Sequence, residues 1–507
     1  MAKRGGTLLQ GRKHTQSNIR LPAVLPVGFS GHRQLPDEAA SRAVLRNFLR
    51  EYKASTPAIV YGVSSAAAGA DLLFAESCLD LDIPVRILLP MPAEEFRNDF
   101  DAETWARAER VLARAISVEV TGQEGERAEL YYECGIRTVQ QCRLMVALWD
   151  GQQARGLGGT AEIVDFAEKI GRPVVCFHSQ SGVRHDLHAD KMAGLLDDPE
   201  LDFLNGLPDA GVPPPAGLGL RLARAWFDKI DANAGHYAPR SRKLAAVPVT
   251  WTAAAALFSG FASRAPGASI WMGLSAAMGL IAALLPALLR LDHWQRLWAR
   301  TRTAAEVCRS MIALWPTPGD YDLIGPEAIP ELGGVLLSLN FLHSNDAERG
   351  AVSLDEFREA YRRDRLQGQI DYFQRKSADS EREGRRFRLL TWSSAGLAIL
   401  VAAWWFSGRF DPTGLHKHGA ARWMPLVISA LFQVATVAGA MVVIRDCDRR
   451  QRRFRELEQW LRNWRPQFDA LRTLSSVLEI ATRIERALLV ELLEWRSLMR
   501  HAKLPRK

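Results

Sequence analysis

The sequence Leu-Met-Val-Ala-Leu-Trp-Asp at residues 144–150, followed by Gly-Gln-Gln-Ala-Arg-Gly-Leu-Gly-Gly-Thr-Ala-Glu at 151–162, decides the fold of the amino-terminal third of this chain. A short apolar run bounded by turn residues is typical of a buried strand, and the apolar spacing of residues 163–167 predicts a helix that starts at Thr160. Backbone amides at such a turn, together with the positive end of the helix dipole, suit a phosphate or another anion. The glycines could equally serve the close packing of the helix on the strand.

Two similar turns lie upstream. Residues 28–33, Gly-Phe-Ser-Gly-His-Arg, follow the apolar run 23–27, and residues 63–71, Val-Ser-Ser-Ala-Ala-Ala-Gly-Ala-Asp, follow the run 58–62. In an open parallel sheet all three turns would lie at the carboxyl ends of strands, where ligands bind. The three turns therefore predict a nucleotide-sized cleft at one edge of a sheet.

Strand and helix patterns alternate between residue 22 and about residue 180. Helical patterns include residues 37–52 and 127–142. The predicted strands are residues 23–27, 58–61, 85–89, 116–120, 144–148 and 174–177. Strands that alternate with helices pair in parallel through right-handed crossovers. The predicted fold of this part is a doubly wound α/β domain.

These motifs resemble one known group of domains. The ordered set Gly28–Arg33, Ser65–Asp71, Ile-Leu-Leu-Pro at 87–90 and the stretch 147–162 resembles the SLOG superfamily over about residues 22–180. SLOG domains are Rossmann-like and are related to the LOG phosphoribohydrolases and to the nucleotide sensors of bacterial anti-phage systems. The resemblance implies a nucleotide-derived ligand: a cyclic ADP-ribose isomer, another NAD derivative or a cyclic oligonucleotide.

The candidate ligand-binding residues are those on the three turns. They are Gly28, Ser30, Gly31, His32, Arg33, Ser64, Ser65, Gly69, Asp71, Trp149, Asp150, Gly158, Gly159, Thr160 and Glu162. Arg33 suits bidentate pairing with a phosphate, whereas His32 could contact the ligand or brace the turn. Asp71, at a helix start, could cap backbone amides or meet a ribose hydroxyl. Glu95, Phe96 and Arg97, after the third strand, are weaker candidates.

A comparison with the LOG enzymes bears on catalysis. Those enzymes carry Gly-Gly-x-Gly-Thr-x-x-Glu, whereas this chain has Gly-x-Gly-Gly-Thr-x-Glu, so Glu162 is one residue closer to Thr160. One residue turns a helical side chain by about 100°. The pattern therefore favours binding over hydrolysis, and no catalytic residue is assigned. Glu162 could hydrogen-bond a ribose or cap the helix. The alternative function is a membrane-tethered LOG-like nucleotide N-glycoside hydrolase that uses Glu162 and Arg33.

Composition indicates soluble and membrane parts in one polypeptide. The 507 residues are 48% hydrophobic and 24% charged, with a formal net charge of +8 and a pI of about 9.3. Because the arginines cluster beside apolar runs, their distribution favours anionic lipid head groups over nucleic acid. The six cysteines are scattered without metal-ligand spacing, so we expect reduced thiols and no metal or resident cofactor. Residues 1–21 are basic and lack the apolar region of a signal peptide, so they predict a disordered tail.

Four uncharged runs have about the length needed to cross hydrocarbon: residues 244–262, 268–289, 389–406 and 423–444. Arginines or lysines flank each pair of runs on its outer side. By the positive-inside rule, we expect two hairpins, or four transmembrane helices, in the inner membrane, with both termini and the α/β domain cytoplasmic. Gln433 would line a pore or hydrogen-bond a neighbouring helix.

The predicted organisation has seven parts. They are the basic tail 1–21, the nucleotide-sensing domain 22–180, a connector 181–243, a first hairpin 244–290, a cytoplasmic helical region 291–388, a second hairpin 389–444 and carboxyl-terminal cytoplasmic helices 445–507. In the last part, the apolar positions Leu474, Val477, Leu478 and Ile480 need partner helices, and self-association into a homo-oligomer would supply them.

The membrane half also carries a resemblance. Residues 365–376, Arg-Leu-Gln-Gly-Gln-Ile-Asp-Tyr-Phe-Gln-Arg-Lys, and residues 484–495, Ile-Glu-Arg-Ala-Leu-Leu-Val-Glu-Leu-Leu-Glu-Trp, resemble the SLATT domains over about residues 290–505. Those membrane modules occur beside SLOG domains and are thought to form pores. Together the resemblances imply a membrane effector of a bacterial anti-phage system. It would sense a second messenger made by a separate enzyme, and would disrupt the membrane or open a pore in abortive infection.

Overall fold

The computed structural model describes residues 18–122, 124–153, 157–262, 268–288, 291–317, 323, 329–346, 352–407 and 423–501. Most of the predicted tail, residues 154–156 of the third turn and the loop 408–422 lie outside the described residues. The chain divides into two compact units. The α/β unit comprises Met1–Lys229 and Trp315–Ala351, and the helical unit comprises Ile230–Leu314 and Val352–Lys507.

The α/β unit is built on a seven-stranded sheet of order β4-β3-β2-β1-β5-β6-β7. All pairings are parallel except that of β7 with β6. The strands are β1 Val24–Gly31, β2 Ile59–Ser64, β3 Val85–Leu89, β4 Ser117–Val120, β5 Leu144–Trp149, β6 Val174–His178 and β7 Arg184–Leu187. The helices among them and after them are α1 Glu38–Ser55, α2 Ala70–Asp80, α3 Ala93–Phe96, α4 Ala102–Arg114, α5 Arg127–Gln141, α6 Thr160–Lys169 and α7 Pro199–Asn205. This mostly parallel, Rossmann-like arrangement confirms the predicted α/β fold.

Helices cover both faces of the sheet, which is why the central strands are apolar at successive residues. Leu144 and Val146 of β5 belong to the same buried cluster as α1, α2 and α4, where Phe29 of β1 stacks on Phe74 at 4.5 Å. The alternate residues of β5, Met145 and Ala147, belong to a second cluster with α5 and α6.

A later part of the chain completes the second helical layer. The remaining helices are α8 Leu220–Ala262, α9 Ala268–Leu288, α10 Leu291–Leu314, α11 Gly333–Ser344, α12 Leu354–Ala360, α13 Gly368–Ser407, α14 Met424–Ile444, α15 Cys447–Ala470 and α16 Leu474–His501. Phe341 of α11 is 4% exposed and lies 5.5 Å from the ring of Tyr61 in β2. Ser338 Oγ also donates to the carbonyl oxygen of Pro22 at 2.6 Å. The α/β unit is therefore discontinuous in sequence.

Among its described residues, the helical unit contains two helical stretches that are long and apolar enough to cross a membrane, Leu354–Ser407 and Met424–Ala470. The prediction of four spans is wrong in number. Within the described residues, the apolar stretches Ala246–Ala262 of α8 and Ser269–Leu285 of α9 are 17 residues each and are shorter than the two candidate spans. The side chains of the longer stretches are largely uncovered, as Trp392 at 74% exposure illustrates.

Local capping at the start of the first long stretch follows the sequence. Ser353 Oγ accepts from the amide of Glu356 at 3.3 Å, and the Glu356 carboxylate accepts from the amide of Ser353 at 3.0 Å. This reciprocal pair is the capping box that the sequence predicts.

The carboxyl-terminal helix finds partners within its own chain. Val477 and Ile484 of α16 are buried, and α16 packs on α10. Glu485 is fully buried and accepts from Arg365 Nε at 2.7 Å and from Tyr361 Oη at 2.8 Å. These contacts occupy part of the apolar stripe on which the prediction of self-association depends. The homo-oligomer stays a prediction.

Candidate functional site

The order of the strands reverses between β1 and β5. From β1 the chain runs outward through β2, β3 and β4, and it then returns to the other side of β1 at β5. Such a switch point leaves a crevice at the carboxyl ends of the two strands. The turn after β1 carries His32 and Arg33, and the turn after β5 carries Asp150 and the glycines before α6. The predicted turns therefore meet at one edge of the sheet.

Asp71 ties two of these turns together. Its Oδ2 accepts from the amide of Gly31 at 3.2 Å, and its Oδ1 accepts from Ser65 Oγ at 3.0 Å. Ser64 Oγ in turn donates to the carbonyl oxygen of Asp71 at 3.2 Å. The side chain is 9% exposed. Burial raises the pKa of Asp71 to about 7, although the hydrogen bonds from Ser65 and Gly31 and the charge of Arg33 favour the ionised form.

The backbone geometry at Gly69 brings the Asp71 turn against the Arg33 turn. Gly69 has φ +96° and ψ −130°, a combination that residues with a Cβ rarely adopt. A Cβ at this position would lie 2.2 Å from the carbonyl oxygen of Arg33. The amide of Ala70 donates to the carbonyl oxygen of His32 at 3.0 Å. The glycine is thus required for this close approach.

His32 braces the turn across the switch point. Its Nε2 lies 3.1 Å from the amide nitrogen of Asp150 and 3.1 Å from Asp150 Oδ1. Trp149 Nε1 donates to the carbonyl oxygen of Gln152 at 2.9 Å, which holds the start of the following loop. The sequence leaves two roles open for His32, ligand contact and support of the turn. These contacts are those of a residue that supports the turn.

The glycine turn before α6 is closed by Glu162. The Glu162 carboxylate accepts from the amide of Gly158 at 2.6 Å, and Gly158 has φ +84°. The N-cap residues of α6 and α2, Gly159 and Gly69, have no side chain that could accept a hydrogen bond from the first helical amides. Thr160, the first residue of α6, is buried. The first turn of α6 is therefore open to an anion, whereas the Ala70 and Leu72 amides of α2 are bonded to the carbonyl oxygens of His32 and Ala67 and Glu162 is engaged in its own turn.

Arg33 is an exposed basic residue at the edge of the sheet where the turns meet. Its Cζ lies 4.5 Å from the centre of the Tyr131 ring in α5. The residue is exposed, and no carboxylate of the described residues lies within 4.0 Å of its guanidinium. Tyr131 Oη donates a hydrogen bond to Asp99 Oδ2, and Arg127 Nη2 lies 2.9 Å from Asp99 Oδ1. The sequence interpretation missed Tyr131, Asp99 and Arg127, since an aromatic residue on an amphipathic helix usually indicates packing.

Several predicted residues do not lie on the turns that line the crevice. Gly28 is inside β1, where a Cβ would come within 2.7 Å of Cys142 Sγ, so it serves packing. Ser30 is half-buried within the same strand. Phe96 is fully buried in the core, whereas Glu95 and Arg97 are exposed. Gln433 is half-buried on α14 in the helical unit.

Asp71 predicts a dependence of stability on pH. The pKa of Asp71 is about 7 in the folded protein and close to 3.8 in the unfolded chain, so the folded state binds more protons between these values. The contribution of Asp71 to the free energy of unfolding should therefore fall by about 1.4 kcal/mol per pH unit as pH rises from 5 towards 7, and should level off above 7. Thermal unfolding of the full chain in detergent from pH 5 to 8 measures this trend.

The Asp71→Asn variant is the control for that trend, because its side chain does not ionise. We expect it to be more stable than the parent protein at pH 8, with the difference shrinking by about 1.4 kcal/mol per unit as pH falls from 7 to 5. Parallel stability curves for the two proteins would contradict the assignment.

Comparisons with known proteins give no assignment. No protein-family model matches the chain, and no curated protein matches it. Within the described ranges, no group of three His, Cys, Asp or Glu side chains is placed to hold a metal ion.

Proposed function

We infer that this protein is a membrane effector that binds a nucleotide-derived second messenger in the crevice of its α/β unit. On binding, it would disrupt the membrane or open a pore. The observation that carries the binding half is Arg33, an exposed guanidinium held at the switch point. A phosphate there would receive a charge-assisted hydrogen bond from Arg33 and amide hydrogen bonds from the open first turn of α6.

The membrane half of the proposal is supported by the two long apolar stretches of the helical unit. The α/β unit would lie in the cytoplasm and the spans in the inner membrane. The resemblance to SLOG and SLATT domains adds the setting, which is anti-phage defence with a messenger made by a separate enzyme. Ligand binding can open a pore only if the messenger has different affinities for the resting and open states.

Hydrolysis of the ligand is less well supported. In the alternative function, Glu162 would act on an N-glycosidic bond, yet its carboxylate is bound to the amide of Gly158 in its own turn. A general acid or base needs to reach the reacting atom within hydrogen-bond distance. Binding without turnover is therefore the function that the geometry favours.

The test uses the full chain reconstituted into vesicles of phosphatidylethanolamine and phosphatidylglycerol that contain a self-quenching dye. Cyclic ADP-ribose isomers, ADP-ribose and cyclic oligonucleotides are added outside in turn, and dye release and free base are measured. We expect one ligand class to release dye with no base formed. Release of free base at a rate proportional to the protein concentration would favour the hydrolase. No dye release with any ligand class would refute the effector function.

For the active ligand class, Arg33→Ala should weaken binding roughly 10- to 100-fold, because a hydrogen bond to a charged group is lost. The matched control is Arg110→Ala, which removes an exposed arginine from α4. Isothermal titration of the full chain in detergent measures both variants. Equal affinities for Arg33→Ala and the parent protein would show that the crevice is not the binding site.

A further inference from the structure

Tyr131 lies where three loops of the α/β unit come together. Arg33, from the turn after β1, is above its ring at 4.5 Å. Gly158, from the turn after β5, is so close that a Cβ there would lie 3.3 Å from Tyr131 Cβ. Asp99, from the segment after β3, accepts the hydrogen bond from its hydroxyl group. The ring therefore belongs to the crevice as well as to α5.

The orientation of the Tyr131 ring is fixed by a hydrogen bond of its hydroxyl group and by packing of the ring. Its hydroxyl group is bound to Asp99, whose Oδ1 also accepts from Arg127 Nε at 3.0 Å. The ring packs against the fully buried Phe96, with centroids 6.2 Å apart. Burial, together with the Asp99 contact, raises the pKa of Tyr131 well above its usual value of 10, so the hydroxyl group stays protonated and keeps donating. An aromatic ring held in this way is preorganised for stacking.

Arg33 donates its hydrogen bonds in the plane of the guanidinium, so it reaches a phosphate that lies beyond the edge of the Tyr131 ring only when the guanidinium shifts towards that phosphate. A charge-assisted hydrogen bond to phosphate is stronger than an exposed cation–π contact, so a phosphate should draw the guanidinium from the ring. The aromatic face is then free. Nucleobases stack on such faces whatever their identity, because every base has a π-face.

We propose that Tyr131 is the platform on which the nucleobase of the ligand stacks, and that Arg33 covers this platform until a phosphate draws it away. The proposal rests on the proposed function and deepens it. It assigns the ligand to compounds that carry a phosphate and an aromatic base together, with the phosphate on the Arg33 side of the crevice and the base on the Tyr131 side.

The experiment compares two probes that differ only in the base, AMP and ribose 5-phosphate, by isothermal titration of the full chain in detergent. Tyr131→Leu should weaken AMP binding about 10-fold and leave ribose 5-phosphate unchanged or slightly tighter. Tyr131→Phe keeps the ring and should bind AMP within about 3-fold of the parent protein. The control Tyr132→Leu changes the neighbouring tyrosine and should affect neither probe.

A second measurement covers the case in which Tyr131→Leu does not fold. The fluorescence of the etheno derivative of AMP is quenched when its base stacks on an aromatic ring. We expect quenching with the parent protein and with Tyr131→Phe, and a smaller effect in Arg33→Ala because less ligand is bound. Binding of etheno-AMP without quenching would contradict the proposal that its base stacks on Tyr131.

The outcomes separate this inference from the proposed function. If Arg33→Ala weakens both probes while Tyr131→Leu weakens them equally, the crevice binds phosphate but Tyr131 does not hold the base. If Arg33→Ala changes neither probe, the inference and the assignment of the crevice fail together. If neither probe binds at millimolar concentration, the inference fails, and the vesicle experiment decides the proposed function.

Discussion

A chain that ends at residue 243 is expected to aggregate, although it contains all seven strands and every glycine turn of the α/β unit. It lacks α11, whose Phe341 covers Val24 and Tyr61 on one face of the sheet. Burying a large apolar side chain contributes about 1.5–3 kcal/mol, and α11 buries several, including Val335 and Leu339. Loss of the whole helix should therefore remove most of the stability of a typical domain. Size-exclusion chromatography and thermal unfolding of the truncated chain test this.

A matched joined chain restores the missing helix without the helical unit. It connects residue 229 to residue 315 through a flexible glycine-serine linker and ends at residue 351. The backbone amide of Leu220 and the indole Nε1 of Trp315 both donate to Asp346 Oδ2 at 2.9 Å, so the departing and returning segments meet at one carboxylate. We expect this joined chain to be soluble and to unfold cooperatively. A truncated chain as stable as the joined one would show that α11 contributes nothing to the core.

The Gly69→Ala variant should be destabilised by about 3–5 kcal/mol and should bind no phosphate. The new Cβ would lie 2.2 Å from the carbonyl oxygen and 2.6 Å from the Cα of Arg33, and backbone atoms cannot rotate away as a flexible side chain can. Either Gly69 changes its φ of +96° or the Arg33 turn shifts, and both changes disturb the hydrogen bonds of Asp71. Chemical denaturation and phosphate titration of the full chain measure the two effects.

Gly151→Ala is the control for Gly69→Ala. Gly151 also has a positive φ, +75°, but a Cβ there would meet nothing within 4 Å. The substitution should therefore cost only the conformational penalty, about 1 kcal/mol. Equal losses for the two variants would mean that the approach to Arg33 is not what requires glycine at position 69.

The sequence predicts the sheet better than it predicts the ends of its strands. β3 is predicted at its observed bounds because an apolar run is enclosed by Pro84 and Pro90. β1 is longer than predicted, since Gly28 looks like a turn residue but lies within the strand, where it packs against Cys142. β7, at the edge of the sheet, is polar, so a search for apolar runs does not predict it. The bounds of β1 are decided by packing, and β7 is held by backbone pairing with β6, which needs no apolar side chains.

The same limit applies to the candidate site. The glycine turns that carry Arg33 and Asp71 have a local signature, so the sequence finds them. Tyr131 and Asp99 come together only because the segments after β3 and β4 lie beside the switch point. No short sequence motif predicts the order of the strands that places them there. A partial signal existed in the acidic and aromatic stretch 93–100, where the sequence pointed to Glu95 rather than Asp99.

The discontinuity of the α/β unit has a consequence for biosynthesis. The ribosome makes the chain from its amino terminus, so the sheet of residues 24–187 emerges long before Phe341. The apolar stretches Ala246–Ala262 and Ser269–Leu285 leave the ribosome in the interval. A nascent chain must therefore keep the uncovered surface around Val24 and Tyr61 from associating wrongly until α11 arrives, and a pause in translation before residue 333 would prolong its exposure to chaperones and proteases.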